Sequence, residues 1–227
     1  MISDCEMGMS SAGESELIRV TLIDYSTGIT LLDSLVYPDV PMAHYNTRFT
    51  GIRAKDMRDA SRSGKCIRGR DAARKAVWQF VGPDTIVVGH SGHNDLSTLR
   101  IIHSRIVDTF LLEPAPEQPH GTEGTMDVLA EFDGLNDSTT APADDDLTTA
   151  SASDPAIPAD VQQQGEDKRK PKPKHKKGGP RSLQYLAKIK LGREIQTSVH
   201  DSVEDAVATR DILHWAVVNG PNATDLV

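Results

Sequence analysis

The first part of the chain alternates apolar and polar residues in the manner of β-strands. Residues 17–24 and 29–37 are strand-like, and residues 26–28 between them read Ser-Thr-Gly, which is turn chemistry. The opening residues 2–7 continue the strand pattern. We therefore predict an antiparallel hairpin with a first strand paired beside it.

The apolar spacing then changes from the period of a strand to that of a helix. Residues 71–81 and 94–103 have helical spacing, and residues 85–89 and 106–109 are short apolar runs that follow them as strands. The apolar helix positions are Ala73, Ala76, Val77 and Phe80, then Leu96, Leu99 and Ile102. A three-stranded meander followed by alternating helices and strands predicts an α/β protein, with a mixed sheet and helices on its faces.

Periodicity disappears after residue 112, where Pro, Asp, Ser, Thr, Ala and Gln dominate. Such a composition is typical of disorder, so residues 113–179 are predicted to be a disordered insertion, first acidic and then basic.

Helical spacing returns at Ser182, stops at Gly192, and resumes over residues 202–218. The predicted folded domain is therefore discontinuous and comprises residues 1–112 and 180–220. Ser202 is the expected N-cap of the last helix, whose predicted apolar face consists of Val203, Ala206, Val207, Leu213 and Val217.

Composition narrows the class of protein. The 227 residues are 37% hydrophobic, carry a formal charge of −8 and include two cysteines that form no motif. Reduced thiols are typical of intracellular proteins, and no apolar run approaches the roughly 18 residues of a membrane span. We expect a soluble, intracellular protein that does not act at a membrane. The acidic charge argues against an open basic surface for duplex DNA but permits a local basic patch.

Asp4 and Glu6 are the first candidates for chemistry. They lie two positions apart in a predicted strand, so both carboxylates project from one face, while Cys5 points to the opposite face as a core residue. Two like charges this close are costly unless a cation lies between them. Taken alone, the pair also fits a solvated strand edge.

Two later segments place acidic residues at the start of predicted helices. Asp95 follows Gly89-His90 and opens one helix, and Asp205 lies one turn into the last helix, with His200 on the loop before it. Carboxylates are favoured near helix N-termini by the helix dipole. Each segment in isolation is equally consistent with ordinary helix capping.

Together the three segments resemble the three motifs of the DEDDh exonuclease superfamily, and in their wording they look like its RNA exonuclease family. The matching stretches are Asp4-Cys5-Glu6-Met7, Gly89-His90 with Asn94-Asp95-Leu96, and His200-Asp201-Ser202-Val203-Glu204-Asp205-Ala206. Residues 45–52 are similar to the family's loop after its third strand, and residues 107–109 to the strand after its second motif. The resemblance covers residues 1–112 and 180–218.

The resemblance implies a ribonuclease-H-like fold, with a mixed five-stranded sheet flanked by helices and a long disordered insertion. It implies that the carboxylates bind two Mg²⁺ or Mn²⁺ ions, which prefer oxygen ligands, and that His200, with a pKa near 6.5, acts as general base. The implied ligands are Asp4, Glu6, Asp95 and Asp205. The expected activity is 3′→5′ hydrolysis of RNA, or of single-stranded nucleic acid, that releases nucleoside monophosphates from the 3′ end.

The family also implies substrate contacts. Met7 is expected to pack near the terminal nucleotide, with a backbone group at Met7 or Gly8 on its sugar hydroxyls. Arg48 is a candidate phosphate ligand, although an exposed arginine in a loop is as readily a solvated side chain. Asp108 is either a partner of the metal ligands or a strand-end residue with a structural role.

Other features leave alternatives open. The basic run at residues 168–177 fits a nuclear localisation signal, an electrostatic tether for RNA or a solvated segment, so we expect a nuclear protein, with the cytoplasm as the second choice. Only three residues precede Asp4, so either the protein is longer or its first strand anchors the carboxylates poorly. The rival functions are a DNA proofreading or repair exonuclease and a catalytically silent nucleic-acid-binding protein on the same fold.

Overall fold

The computed structural model describes residues 1–113 and 179–220, which lie in one compact unit that is discontinuous in sequence. The predicted insertion and its basic run lie outside the described residues, apart from the two ends of the insertion. The strands are β1 (Ile2–Ser10), β2 (Ser15–Ile23), β3 (Thr30–Tyr37), β4 (Met42–His44), β5 (Cys66–Arg68), β6 (Val87–Gly89) and β7 (Ile106–Asp108). The helices are α1 (Thr47–Thr50), α2 (Ala54–Arg62), α3 (Arg70–Val77), α4 (His93–Leu99), α5 (Leu183–Leu191) and α6 (Ser202–Asn219).

All the described strands form one mixed sheet in the order β5-β3-β2-β1-β6-β7, and β4 pairs with the C-terminal end of β1. β1, β2 and β3 form the antiparallel meander predicted from the alternation, while β6, β7 and β5 run parallel to their neighbours. The predicted mixed α/β sheet flanked by helices is confirmed. The sheet has seven strands instead of the predicted five because β4 and β5, with the sequences Met-Ala-His and Cys-Ile-Arg, lack the apolar run that marked the equally short β6 and β7.

β1 lies in the middle of this sheet and is firmly anchored. It pairs with β2 along nearly its whole length, and the amino group of Met1 donates a hydrogen bond of 3.0 Å to the carbonyl oxygen of Ile86. The backbone N–H of Val88 donates to the carbonyl oxygen of Met1 at 2.8 Å. The expectation of a poorly anchored first strand is therefore wrong.

Helices cover both faces of the sheet, and the alternation along β1 assigns its residues to one face or the other. Cys5 packs in an apolar cluster with residues of α3 and α4, including Val77 and Leu96. Ile2 packs in a separate cluster with Ala206 of α6. Since side chains two apart on a strand share a face, Asp4 and Glu6 lie on the same face as Ile2, the one that α6 covers.

Three details of the predicted helices are wrong. α4 ends at Leu99 because Arg100 adopts a left-handed conformation (φ 52°), which leaves Ile102 fully exposed instead of on an apolar face. α3 ends at Val77, before Phe80, and Phe80 is exposed. In α6 the predicted core residue Val217 is 55% exposed. In the part of the chain that the structure describes, no helix combines the length and apolar character needed to cross a membrane.

Candidate active site at the edge of the central strand

The two carboxylates of β1 lie on the face that α6 covers, as the alternation predicts. Glu6 is 7% exposed and Asp4 is partly buried. Glu6 is directly opposite Arg19 of β2, which pairs with Asp33 of β3 and approaches Asp201 at 3.5 Å. This arginine is the positive charge that partly offsets the acidic residues of β1.

Asp95 lies in the first turn of α4 and is 6% exposed. The loop that leads into this helix is very tight, since a Cβ on Gly89 would lie 2.8 Å from the Cα of Gly92, so neither position has room for a side chain. Ser91 between them has a positive φ of 56°. The loop thus turns the chain from β6 directly into α4 and brings Asp95 next to β1, where the backbone of Cys5 partly offsets the rise in the pKa of Asp95.

Asp108 at the end of β7 holds that loop in place. Its carboxylate accepts hydrogen bonds from the backbone N–H groups of Ser91 (2.8 Å), Gly92 (3.0 Å) and Phe110 (3.0 Å). Of the two roles considered for Asp108, the contacts support the structural one, because all of these bonds fix backbone. Through these bonds Asp108 fixes the loop that leads to Asp95.

Asp205 lies in the first turn of α6 and is 3% exposed. The N-cap is Asp201, whose carboxylate accepts from the N–H groups of Val203 and Glu204, so the prediction of Ser202 as cap is wrong. The hydroxyl of Ser202 instead lies 2.7 Å from the hydroxyl of Thr21 on β2, a buried contact between helix and sheet. This arrangement points Asp205 at the carboxylates of β1.

His200 precedes α6 and lies beside Asp205, with 3.5 Å between its Nδ1 and Asp205 Oδ2. Its backbone N–H donates to the carbonyl oxygen of Phe49 in α1, and its ring packs edge-on against the Phe49 ring with centroids 6.3 Å apart. Phe49 was missed by the sequence analysis, which saw residues 45–52 only as a loop. The imidazole is 42% exposed, so solvent reaches it.

Gln196 is a second residue that the sequence analysis missed. Its side-chain amide donates a hydrogen bond of 2.8 Å to Asp205 Oδ2, the oxygen that also faces His200. No apolar period or recognised motif includes this position, so nothing in the sequence pattern indicated it.

The pKa values of the carboxyl groups show how closely these residues approach one another. Burial raises the pKa of Asp4 well above its ordinary value, and repulsion from Asp95, Asp205 and Glu6 adds to the effect. Burial likewise raises the pKa of Asp95, with repulsion from Glu6 and Asp108. The pKa of Glu6 rises to about 7, mainly through burial. The four predicted acidic residues therefore lie within electrostatic reach of one another, beside the central strand β1.

The pKa of His200 is raised above its ordinary value, chiefly by its hydrogen bond to Asp205 and then by the charge of that carboxylate, while burial acts in the opposite direction. Because the shift comes from a neighbouring anion, any charge that neutralises Asp205 reduces it.

The donor set fits hard divalent cations in its chemistry. Four carboxylates supply the oxygen ligands that Mg²⁺ and Mn²⁺ prefer, and Asp205 Oδ1 is buried with no hydrogen-bond partner, which is costly for a carboxylate oxygen. Across residues 1–113 and 179–220, however, no group of three or more His, Cys, Asp or Glu side chains is already drawn together as a metal site.

The predicted substrate residues flank this edge. Gly8 is buried against the turn after β4, where a Cβ would lie 2.9 Å from the carbonyl oxygen of His44. The side-chain amide of Asn46 donates to the carbonyl oxygen of Met7 at 2.9 Å, which fixes the backbone at this point. Arg48 is exposed, with its guanidinium 5.7 Å from the centroid of the Phe49 ring. The substrate roles of Met7, Gly8 and Arg48 stay predictions.

A central strand with two acidic residues on one face, joined by an acidic residue from each of two helix starts, is the arrangement that the resemblance to the DEDDh exonucleases implies. The fold is shared with solved structures. The Saccharomyces cerevisiae Pan2 pseudoubiquitin hydrolase–RNA exonuclease module in complex with A7 RNA matches 99% of this chain and 30% of its own chain, with a TM-score of 0.60 and 16% identity. The Neurospora crassa Pan2 catalytic unit matches with a TM-score of 0.58 and 17% identity, over 99% of this chain and 29% of its own.

Sequence relatives agree with the resemblance found in the motifs. The chain is 37% identical over 133 residues to small RNA degrading nuclease 3 of Arabidopsis thaliana, which covers 56% of this chain. It is 28% identical over 216 residues to RNA exonuclease 3 of Candida albicans, which covers 94% of this chain. The chain spans only 16% and 37% of the lengths of these two relatives. No family model matches the chain. The similarity to the RNA exonuclease family is therefore confirmed.

Proposed function

We propose that this chain is a divalent-metal-dependent 3′→5′ exoribonuclease that releases nucleoside 5′-monophosphates one at a time. The observation that carries the proposal is the placement of four acidic residues and a histidine, with Asp4 and Glu6 on one face of the central strand, Asp95 and Asp205 in the first turns of α4 and α6, and His200 Nδ1 3.5 Å from Asp205 Oδ2. Four carboxylates that converge on the central strand, with a histidine beside one of them, are suited to hold cations against a phosphodiester. The names of the relatives favour RNA over DNA as substrate.

In the proposed reaction the oxygen of a water molecule forms a bond to the terminal phosphorus, and the bond from phosphorus to the 3′ oxygen of the preceding nucleotide breaks. His200 takes the proton of the water. Its Nδ1 faces Asp205, so Nε2 is the nitrogen available for the proton. The leaving 3′ oxygen takes a proton from solvent and becomes the new 3′ hydroxyl.

Asp4, Glu6, Asp95 and Asp205 would hold two Mg²⁺ or Mn²⁺ ions, which lower the pKa of the attacking water and neutralise charge on the leaving oxygen. Burial of Glu6, Asp95 and Asp205 excludes water from their carboxylates and strengthens their attraction for cations. Asp205 also orients the imidazole of His200. The backbone at Met7 and Gly8 and the guanidinium of Arg48 are proposed to bind the terminal sugar and a phosphate.

The test is a time course on a 5′-labelled RNA and a DNA of the same sequence, with Mg²⁺ or with chelator. The proposal expects a ladder shortened from the 3′ end on RNA, no products with chelator, and no products from Asp4→Ala. Asp84→Ala is the matched control, because the side chain of Asp84 is 99% exposed and its ion-pair partner is Arg105. Equal degradation of DNA would favour the repair exonuclease, and RNA binding without hydrolysis would favour the silent protein.

Nuclear residence is a separate proposal that rests on the basic run at residues 168–177. A cluster of lysines flanked by prolines fits a nuclear import signal. The test is a fluorescent fusion of the full chain with and without alanine at the lysines of the run. Identical distribution of the two fusions would contradict the proposal.

A further inference from the structure

Gln196 contacts Asp205 in a way that the proposed chemistry does not use. Its Nε2 donates to Asp205 Oδ2 at 2.8 Å, a shorter contact than the 3.5 Å between that oxygen and His200 Nδ1. The two carboxylate oxygens of Asp205 therefore differ in their hydrogen-bond partners. Oδ2 is engaged by Gln196 and His200, and Oδ1 is buried without a hydrogen-bond partner.

The backbone around Gln196 is held from several sides. Its N–H donates to Glu204 Oε2 at 3.0 Å, and the side-chain amide of Gln184 in α5 donates to the carbonyl oxygen of Ile195 at 3.1 Å. Ile195 is fully buried in an apolar cluster between α5 and α6. These contacts keep Gln196 in a left-handed conformation (φ 54°) that non-glycine residues rarely adopt. The amide is thus delivered to Asp205 by a rigid segment.

A neutral amide has a specific advantage at this position. It fixes the rotamer of Asp205 by donating a hydrogen bond, yet it brings no positive charge. Lysine or arginine at this position would neutralise the carboxylate and compete with a cation. Partners of this kind, which orient a ligand without touching the metal, change metal affinity or activity by roughly 10 to 100-fold when removed.

We infer that Gln196 is a positioning residue that engages Oδ2 of Asp205 and so presents Oδ1 to a divalent cation. The inference rests on the proposed function, because it assigns Asp205 to a metal site. It adds a residue outside the five that the motifs contain. Gln196 touches neither substrate nor reacting atoms in this assignment and acts only through Asp205.

The test compares Mn²⁺ binding by the full chain, read from the electron paramagnetic resonance signal of free Mn²⁺, with kcat and KM on RNA. Gln196→Gly is the main variant, because it removes the amide while glycine adopts the positive φ without strain, so folding is preserved. Gln196→Ala is its companion. Gln79→Ala is the matched control, because Gln79 is exposed at the end of α3.

Both Gln196 variants are expected to weaken Mn²⁺ binding about tenfold and to lower kcat about tenfold at fixed Mn²⁺, with KM for RNA within twofold of wild type. Excess Mn²⁺ should recover most of kcat. If Gln196→Gly binds Mn²⁺ within twofold of wild type, while Asp205→Ala loses binding, the inference is overturned and the proposed function stands. If the wild-type chain itself binds no Mn²⁺, both are overturned.

Discussion

α4 and α6 each contribute a buried carboxylate from their first turn, but their N-termini are held in different ways. α4 has no side-chain cap of its own, and Asp108 from the following strand fixes its leading loop through the N–H groups of Ser91 and Gly92. α6 is capped by its own Asp201. The position of Asp95 therefore depends on a strand formed later in the chain, whereas that of Asp205 depends mainly on local sequence.

The difference explains how informative each motif is. Around Asp205, the residues that position the helix are next to it in sequence, so a short motif contains most of the information. Around Asp95, the supporting carboxylate lies on β7, and the required glycines are set by close approach of two backbone segments. One carboxylate is placed by local chemistry and the other by the packing of strands.

The largest effect is expected when the carboxylate at either helix start is removed, and it should be the same for both helices. Asp95→Ala and Asp205→Ala should each lower the rate of RNA hydrolysis by roughly 10³-fold or more, because residues that act as a unit fail together. The rate is measured with labelled RNA at saturating Mg²⁺. If one variant retained a tenth of wild-type activity while the exposed control Asp84→Ala retained all of it, the shared site would be disproved.

Removing the external support of α4 is expected to have the next largest effect. Asp108→Ala leaves the N–H groups of Ser91, Gly92 and Phe110 without their acceptor. Unsatisfied buried donors cost about 1–3 kcal/mol each, so the free energy of unfolding should fall by about 3 to 4 kcal/mol in a partly exposed loop. Urea unfolding measures this loss. If the free energy of unfolding fell no further than in Asp84→Ala, the loop before α4 would not depend on Asp108.

The pH dependence of stability tests the burial of Glu6, the β1 residue that lies on the face covered by α6. Burial raises the pKa of Glu6 from 4.5 to about 7, so the folded state binds its proton more tightly than the unfolded chain. Metal-free protein should lose stability as pH rises from about 4.5 to 7, by about 3 kcal/mol for this group at about 1.4 kcal/mol per pKa unit. The raised pKa values of Asp4, Asp95 and His200 act in the same direction.

Melting temperatures of metal-free protein at pH 5 and pH 8 check this expectation. Glu6→Gln should flatten the difference, because it removes the titrating group, whereas Glu14→Gln on the exposed turn after β1 should not. A wild-type protein that is more stable at pH 8 than at pH 5 would contradict the assigned sign.

The smallest expected effect concerns the local support of α6. Asp201→Ala removes the cap of the helix and should lower the free energy of unfolding by about 1 kcal/mol, less than Asp108→Ala. The contact between Ser202 and Thr21 remains and limits the damage. Asp201→Ser should restore most of the stability, because serine is also a good cap. Chemical denaturation of the wild type, Asp201→Ala and Asp201→Ser measures the free energy of unfolding of each. Equal losses for the two variants would show that the ion pair with Arg19, and not the cap, stabilises the helix start.

Much of the fold was predictable because it depends on long periodic segments. β1, β2, β3 and α6 were each predicted from apolar spacing, and α5 from its serine start and glycine end. β4, α1 and β5 were not predicted, since they are too short to show a period and, unlike β6 and β7, do not lie in an apolar run. The end of α4 was misplaced because Arg100 adopts a left-handed conformation that its residue type does not signal.

The sequence by itself determined which carboxylates share a face of β1 and which open a helix, because both follow from fixed periods of two and 3.6 residues. Only the tertiary structure decided that Gln196 engages Asp205, that Asp108 serves the loop before α4, and that Phe49 packs against His200. None of these pairs lies within a single helix or strand, so no period of the sequence relates the partners, which depend on how the sheet, loops and helices pack.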